Sequence, residues 1–312
     1  MRIQTTSFMQ LTPDIIFGSV SILFGAALYA FSVVAYRSQS KEIRPLAIAS
    51  IKMWVALGFM LLLALIPLGI NPLAVGFDQV LYLSGSVILG AVIGDTFYLI
   101  SQERIGVSYA FPIAMSFPIL TYFLTVIFLG EPLLLSRLIG VFIAVAGIII
   151  LALEQESDAN DKWESAEIRR IDWIGISLAI LTAVLYATGT TILQIGVEGV
   201  DALSANFIRM VVGSIAFVPM VLVARVKGMP IPTRKATKLV AIAGLFGMAI
   251  GSIFYVTGVK YAGAAIASVL ASTAPLWAVP ISVFYLKERL TRLAAFGVLA
   301  TIIGAILVVI GI

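Results

Sequence analysis

Residues 274–306 read APLWAVPISVFYLKERLTRLAAFGVLATIIGAI, and residues 116–150 read SFPILTYFLTVIFLGEPLLLSRLIGVFIAVAGIII. Each stretch sets a Pro (Pro118, Pro275) 13 residues ahead of an acid (Glu131, Glu288), with Gly nine and 16 residues beyond that acid (Gly140, Gly147; Gly297, Gly304). A constant shift of 157 carries one onto the other without a gap, and the same shift holds further back. Ala26, Leu28, Tyr29 and Ala30 meet Ala183, Leu185, Tyr186 and Ala187; Lys52-Met53 meets Arg209-Met210. Gly90, Gly94, Phe97 and Tyr98 meet Gly247, Gly251, Phe254 and Tyr255. Apolar sequences share Leu, Ile and Ala by chance. Matching Pro, Glu, Tyr and intramembrane cations at one shift are a repeat.

The repeat is built from apolar segments. The 312 residues are 61% hydrophobic and 12% charged, too little charge to cover a soluble surface, so the bilayer is the expected solvent. Segments of about 20 residues cross a hydrocarbon core of roughly 30 Å as helices. Ten are expected: Ile15–Tyr36, Pro45–Leu68, Val80–Ser101, Ser108–Leu129, Leu135–Leu153, Trp173–Gln194, Leu203–Arg225, Leu239–Thr257, Ala264–Leu286 and Leu293–Ile310. The first is not read as a signal peptide, because only Arg2 supplies a basic flank, the apolar run is too long, and the repeat gives it a partner. Three units follow: a five-helix repeat over 14–153, a polar linker over 154–171 and a second five-helix repeat over 172–312. The linker region EQESDANDKWESAEIRRID (154–172) is polar and carries both charge signs; it reads as solvated, or as a short surface helix laid down by Trp163 and Ile168.

Five helices is an odd number, so a second copy enters from the opposite membrane face. The expected fold is all-α, ten transmembrane helices as two inverted five-helix repeats. Loop charge agrees. Arg37, Lys41 and Arg44 crowd the first loop of the first half, whereas the matching loop 195–202 has no basic residue. Odd-numbered loops hold 15 basic residues against three on the other side (Arg2, Arg137, Lys260), which places both termini outside. The net charge of +4 sits in these short loops, so anionic lipid is the expected partner and nucleic acid is not.

The paired Pro–Glu–Gly–Gly stretches resemble the EamA family of the drug/metabolite transporter superfamily. The resemblance runs from about Ile15 to Ile312 and implies a ten-helix carrier or exporter of amino acids or other small metabolites in the cell membrane. It also implies cytoplasmic termini, the reverse of the loop count, and a shorter linker than this one.

Cysteine and histidine are both absent, which removes disulfides, thiol nucleophiles, most zinc sites and histidine proton relays. No metal or cofactor is expected. Lys52 and Arg209 stand well inside helices 2 and 7, where a cation costs about 2.5–3.5 kcal/mol on insertion scales and faces protein or water. Asp95 lies at a similar depth to Lys52, and the two are expected to pair. Its counterpart is Ser252, which leaves Arg209 without a matching acid. Arg209 either meets an anionic substrate group or snorkels toward the surface and backbone carbonyls. Tyr29, Tyr98, Tyr186, Tyr255, Asn206 and Trp277 complete the candidate substrate-binding set, each with core packing or interface anchoring as its alternative. Pro112, Pro118, Pro275 and Pro280 are candidate hinges, or static kinks, because each removes a backbone donor. Gly140, Gly147, Gly297, Gly304 and Gly311 recur every seven residues, which predicts close packing of helices 5 and 10 or a dimer contact. Glu131 and Glu288 read as surface charge balance.

The function expected is secondary transport of a small polar metabolite, such as an amino acid, by alternating access around a cavity between the repeats. An exporter or exchanger, monomeric or homodimeric, is the form anticipated. A proton or substrate gradient is the driver, since no phosphate-binding Gly-rich loop with its Lys is present. A lipid flippase or passive channel is the alternative, and an intramembrane enzyme is further off, because few nucleophile–base pairs remain without His and Cys.

Overall fold

The computed structural model describes residues 12–39, 42–66, 70–160, 172–280 and 291–311. Every regular element among them is a helix, with no strand among the described residues. The first half contains α1 (Pro13–Gln39), α2 (Pro45–Ala64), α3 (Phe77–Val87), α4 (Asp95–Ile105), α5 (Val107–Ala114), α6 (Phe117–Phe128) and α7 (Leu135–Asn160). The second contains α8 (Trp173–Gly196), α9 (Ala202–Val226), α10 (Arg234–Gly244), α11 (Gly251–Ala271), α12 (Ala274–Pro280) and α13 (Arg292–Ile310). Helices suit this sequence because a bilayer offers no partner for backbone N–H and C=O groups, which must pair within the segment.

Eight helices among the described residues are long and apolar enough to cross a membrane, with Leu135–Leu151 a shorter apolar one. Three of the eight are composite: Phe77–Ile105, Tyr109–Phe128 and Arg234–Ala271. The last contains all of the expected eighth segment and the start of the ninth, whose end falls outside the described residues, as do Glu288, Trp163 and Ile168. α7 continues to Asn160, past the expected end at Leu153.

The repeat persists in the backbone. α2 and α9, α3 and α10, and α7 and α13 each begin at positions related by the shift of 157. A π-helical turn over Ile88–Gly94 joins α3 to α4, and its counterpart over Leu245–Ile250 joins α10 to α11. Gly106 (φ 80°, ψ 165°) ends α4, and Gly263 (φ 81°, ψ 164°) kinks α11 at the corresponding place. That conformation is essentially closed to residues with a Cβ. Gly263→Ala is therefore expected to destabilise the protein by about 1–3 kcal/mol in thermal unfolding. Crowding is not the cause, because the nearest atom to an added Cβ, Glu131 Oε1, is 3.6 Å away.

Composite helices change the setting of the prolines. The expected fourth and ninth spans are broken at Met115–Ser116 and Ser272–Thr273. Pro118 and Pro275 thus sit in the first turns of α6 and α12, where a missing N–H has no helical acceptor to lose. Pro112 remains interior to α5, and Pro280 is the last residue of α12.

The first helix of each half packs along the third unit of the other: α1 against α11, and α8 against α3, its π turn and α4. At one end of the bundle Arg44 meets Glu103 (2.7 Å) and Arg104 meets Asp172 (3.0 Å). Tyr36 and Ile43 pack there with Ala236 and Val240. Asp172 caps α8; its bond from the Gly175 amide, aided by Arg104, holds its carboxyl below the usual carboxylate range. At the other end the Asn71 amide donates to Ser204 Oγ (2.9 Å), and Gln194 bridges Glu131 (3.1 Å) and the Ala264 amide (2.6 Å). Arg137 Nη1 lies 3.9 Å from Glu131, so this acid is part of a partly buried polar cluster rather than a solvated surface charge.

α7 and α13 lie against each other along their glycines. The seven-residue stripe is thus used within one chain, the first of its two expected uses.

Candidate functional site

A cavity of about 180 Å³ opens between the halves. Its wall comes from α1, α3, both π turns, α4, the α5–α6 junction, α8, α9 and α11. The π turns bring Gly90 and Gly247 to it with no side chain in the way. Wide turns of this kind loosen the regular ladder and are frequent at functional sites.

Five of the candidate residues line the cavity: Tyr29, Asp95, Tyr186, Arg209 and Tyr255. Lys52 is buried directly behind the wall and donates from Nζ to Asp95 Oδ2. The other Asp95 oxygen accepts from the Tyr186 hydroxyl at 2.6 Å. One carboxylate thereby ties α2, α4 and α8 together, and Lys52 also lies 5.8 Å from the Tyr36 ring centre. An ion pair this deep needs such extra partners, because desolvation otherwise exceeds the Coulombic gain.

Arg209 is placed differently. It is 7% exposed and lines the cavity. Its Nε donates to Ser86 Oγ (3.2 Å), while the buried Nη1 has no hydrogen-bond partner. An unsatisfied guanidinium nitrogen in low dielectric is unfavourable, and an anion is its natural complement. Tyr255 faces the cavity with its hydroxyl 2.7 Å from Thr190 Oγ1.

The remaining candidates lie elsewhere. Tyr98 is buried in an apolar cluster, where it accepts from Gln102 (3.0 Å) and stands edge-on to Phe111. Asn206 is fully buried on α9, with Nδ2 3.6 Å from Met60 Sδ. Trp277 is 39% exposed on α12 and is not part of the cavity wall. Ser86, Thr190, Met115 and Phe117, which are not among the candidates, also line the cavity. Helical spacing held a signal for two of them: Ser86 is four residues before Gly90, and Thr190 four after Tyr186.

No group of acids able to hold a metal occurs among the described residues.

Similarity to known proteins agrees with this architecture. The model of the EamA-like transporter family matches twice, over residues 16–153 and 173–310. An "Uncharacterized transporter" of Archaeoglobus fulgidus is 23% identical over 285 residues, 91% of this chain and 95% of the relative. A "Probable terminal-alkyne amino-acid exporter" of Streptantibioticus cattleyicolor is 26% identical over 126 residues, covering 40% of this chain and 41% of its own. A solved structure titled "Crystal structure of protein" superposes with a TM-score of 0.72 at 15% identity, over 95% of this chain and 96% of that one, and shares the fold. With both halves matched and apolar helices around a cavity lined by Arg209 and Asp95, the chain belongs to the EamA-like transporter family and is a multi-pass protein of the cell membrane.

Proposed function

We propose that the chain is a secondary transporter that moves a small polar metabolite, such as an amino acid, by alternating access around the cavity between its halves. In this reading 14–153 and 172–312 are five-helix units joined by the 154–171 linker, ten crossings in all, inverted relative to each other. The contacts at the two ends support inversion. α1 starts beside Tyr261 and Ala262, in the region of Gly263 and Glu131, and reaches Ala236 and Val240 at Tyr36. α8 starts at Arg104 and finishes with Gln194 beside Glu131, so it travels the other way. The loop-charge count then puts both termini outside.

Export or exchange of the metabolite is the direction proposed; the name of the S. cattleyicolor relative is in keeping with it. Transport, rather than chemistry on the substrate, fits a cavity whose one carboxylate is already held by Lys52 and Tyr186. The observation that carries the reading is Arg209, buried at the cavity with Nη1 unpartnered, where it recognises an anionic group of the substrate.

Reconstitution into proteoliposomes tests this. Unlabelled substrate inside the vesicles is expected to stimulate uptake of labelled substrate, which a channel does not do. Arg209→Gln removes the charge and the Nη nitrogens while keeping a polar group at the level of Nε, and is expected to weaken binding by roughly tenfold or more. Unchanged affinity at normal expression removes Arg209 from the site.

A further inference from the structure

The repeat gives the cavity two matching sets of positions. Lys52 corresponds to Arg209, Asp95 to Ser252, and Tyr186 to Tyr29, so each set joins a cation and a helix-start residue of one half to a tyrosine of the other. In the first set the structure shows what the arrangement holds: the Asp95 carboxylate, gripped by Lys52 on one oxygen and by the Tyr186 hydroxyl on the other. The second set keeps the cation and the phenol but replaces the acid with a hydroxyl. Arg209, Tyr29 and Ser252 all line the cavity, and Ser252 Oγ does no more than donate to Ala249 O in the π turn just before its helix (3.1 Å). Arg209 Nη1 has no partner. This half of the site is one carboxylate short.

We infer that the substrate brings that carboxylate: a small monocarboxylate with an apolar body, its acid group bound by Arg209, Tyr29 and Ser252 in the place that Asp95 fills in the matching set. The inference rests on Arg209 as the anion-binding residue and adds the ligand's chemistry and its other partners. Charge supports a single negative group. Lys52 and Asp95 cancel, so Arg209 leaves one positive charge in a low-dielectric cavity, which a carboxylate neutralises and a dianionic phosphate overshoots. Ile22, Met115, Phe117 and Leu193 supply apolar wall for the rest of the molecule.

The test supplies the missing acid from the protein. In the full-length protein, Ser252→Asp is expected to raise the thermal unfolding temperature by pairing with Arg209, and to lose that gain in the Arg209→Gln background. The same substitution is expected to weaken binding of isovalerate and benzoate by roughly tenfold or more, while the uncharged Ser252→Asn weakens it far less. Isovaleramide and benzamide, which lack the charge, are expected not to bind the unmodified protein. Equal losses from Asp and Asn mean filled space rather than charge and overturn the inference. So does a stability gain from Ser252→Asp that survives Arg209→Gln, or an unmodified protein that ignores both acids. If Arg209→Gln abolishes binding of the acids while Ser252→Asp leaves it intact, the matching-set placement fails and the anion-binding role of Arg209 stands. If Arg209→Gln leaves the binding of every anion unchanged, the anion-binding role of Arg209 fails as well.

Discussion

Asp95→Asn is expected to destabilise the protein by about 3–5 kcal/mol, more than any other single polar substitution considered. The asparagine retains a group for the Tyr186 hydroxyl but leaves the Lys52 ammonium buried without a counter-charge. Lys52 is 4% exposed, so water cannot stand in for the lost carboxylate. Removing both charges together, as Lys52→Met with Asp95→Leu, is expected to recover most of the loss, because no buried ion remains to be compensated. Thermal unfolding in detergent reads both. A single variant as stable as the parent means that the pair contributes nothing to holding α2, α4 and α8 together. A double variant no better than the singles means that the cost comes from shape and not charge.

The second large effect belongs to the helix pair α7–α13. A Cβ at Gly304 would meet the backbone nitrogen of Ala144 and stand 2.6 Å from Gly140 O. At Gly147 it would stand 2.6 Å from Thr301 N and 2.7 Å from Gly297 O. These are backbone atoms, which cannot swing aside as a long side chain does. Gly304→Ala is therefore expected to cost about 1–3 kcal/mol or more by forcing the helices apart. Gly58→Ala is the control, since nothing lies within 4 Å of a Cβ there and the change is expected to be neutral or slightly stabilising. Equal unfolding temperatures for Gly304→Ala and the parent would mean that the close approach carries no stability.

The polar positions were unequally legible in the sequence. Depth alone pairs Lys52 with Asp95, because two opposite charges deep in an apolar chain have few other places to go. The same logic marks Arg209, because the counterpart of Asp95 is Ser252 and no acid is left to match it. Tyr98, Asn206 and Trp277 stand out by residue type, and the structure sets all three away from the cavity wall. Type says that a phenol, amide or indole needs a partner; it does not say whether that partner is a substrate, Gln102 or Met60. Pro118 and Pro275 show the converse. Their pairing was visible in the repeat, but their position at helix starts depends on breaks at Met115–Ser116 and Ser272–Thr273, which hydropathy does not mark.

By itself the sequence determined that this chain lives in a membrane, that it is helical, and that its second half copies its first at a shift of 157. Apolar length and repeated spacing are local properties that a linear string carries in full. Only the tertiary structure decided which face of each helix meets the cavity, that α7 and α13 close on each other within one chain, and that Arg209 keeps a nitrogen unpartnered while Lys52 does not. Those outcomes turn on helix rotation and on π turns that shift the register of side chains by a fraction of a turn. Rotation is settled by packing against neighbours far away in the chain.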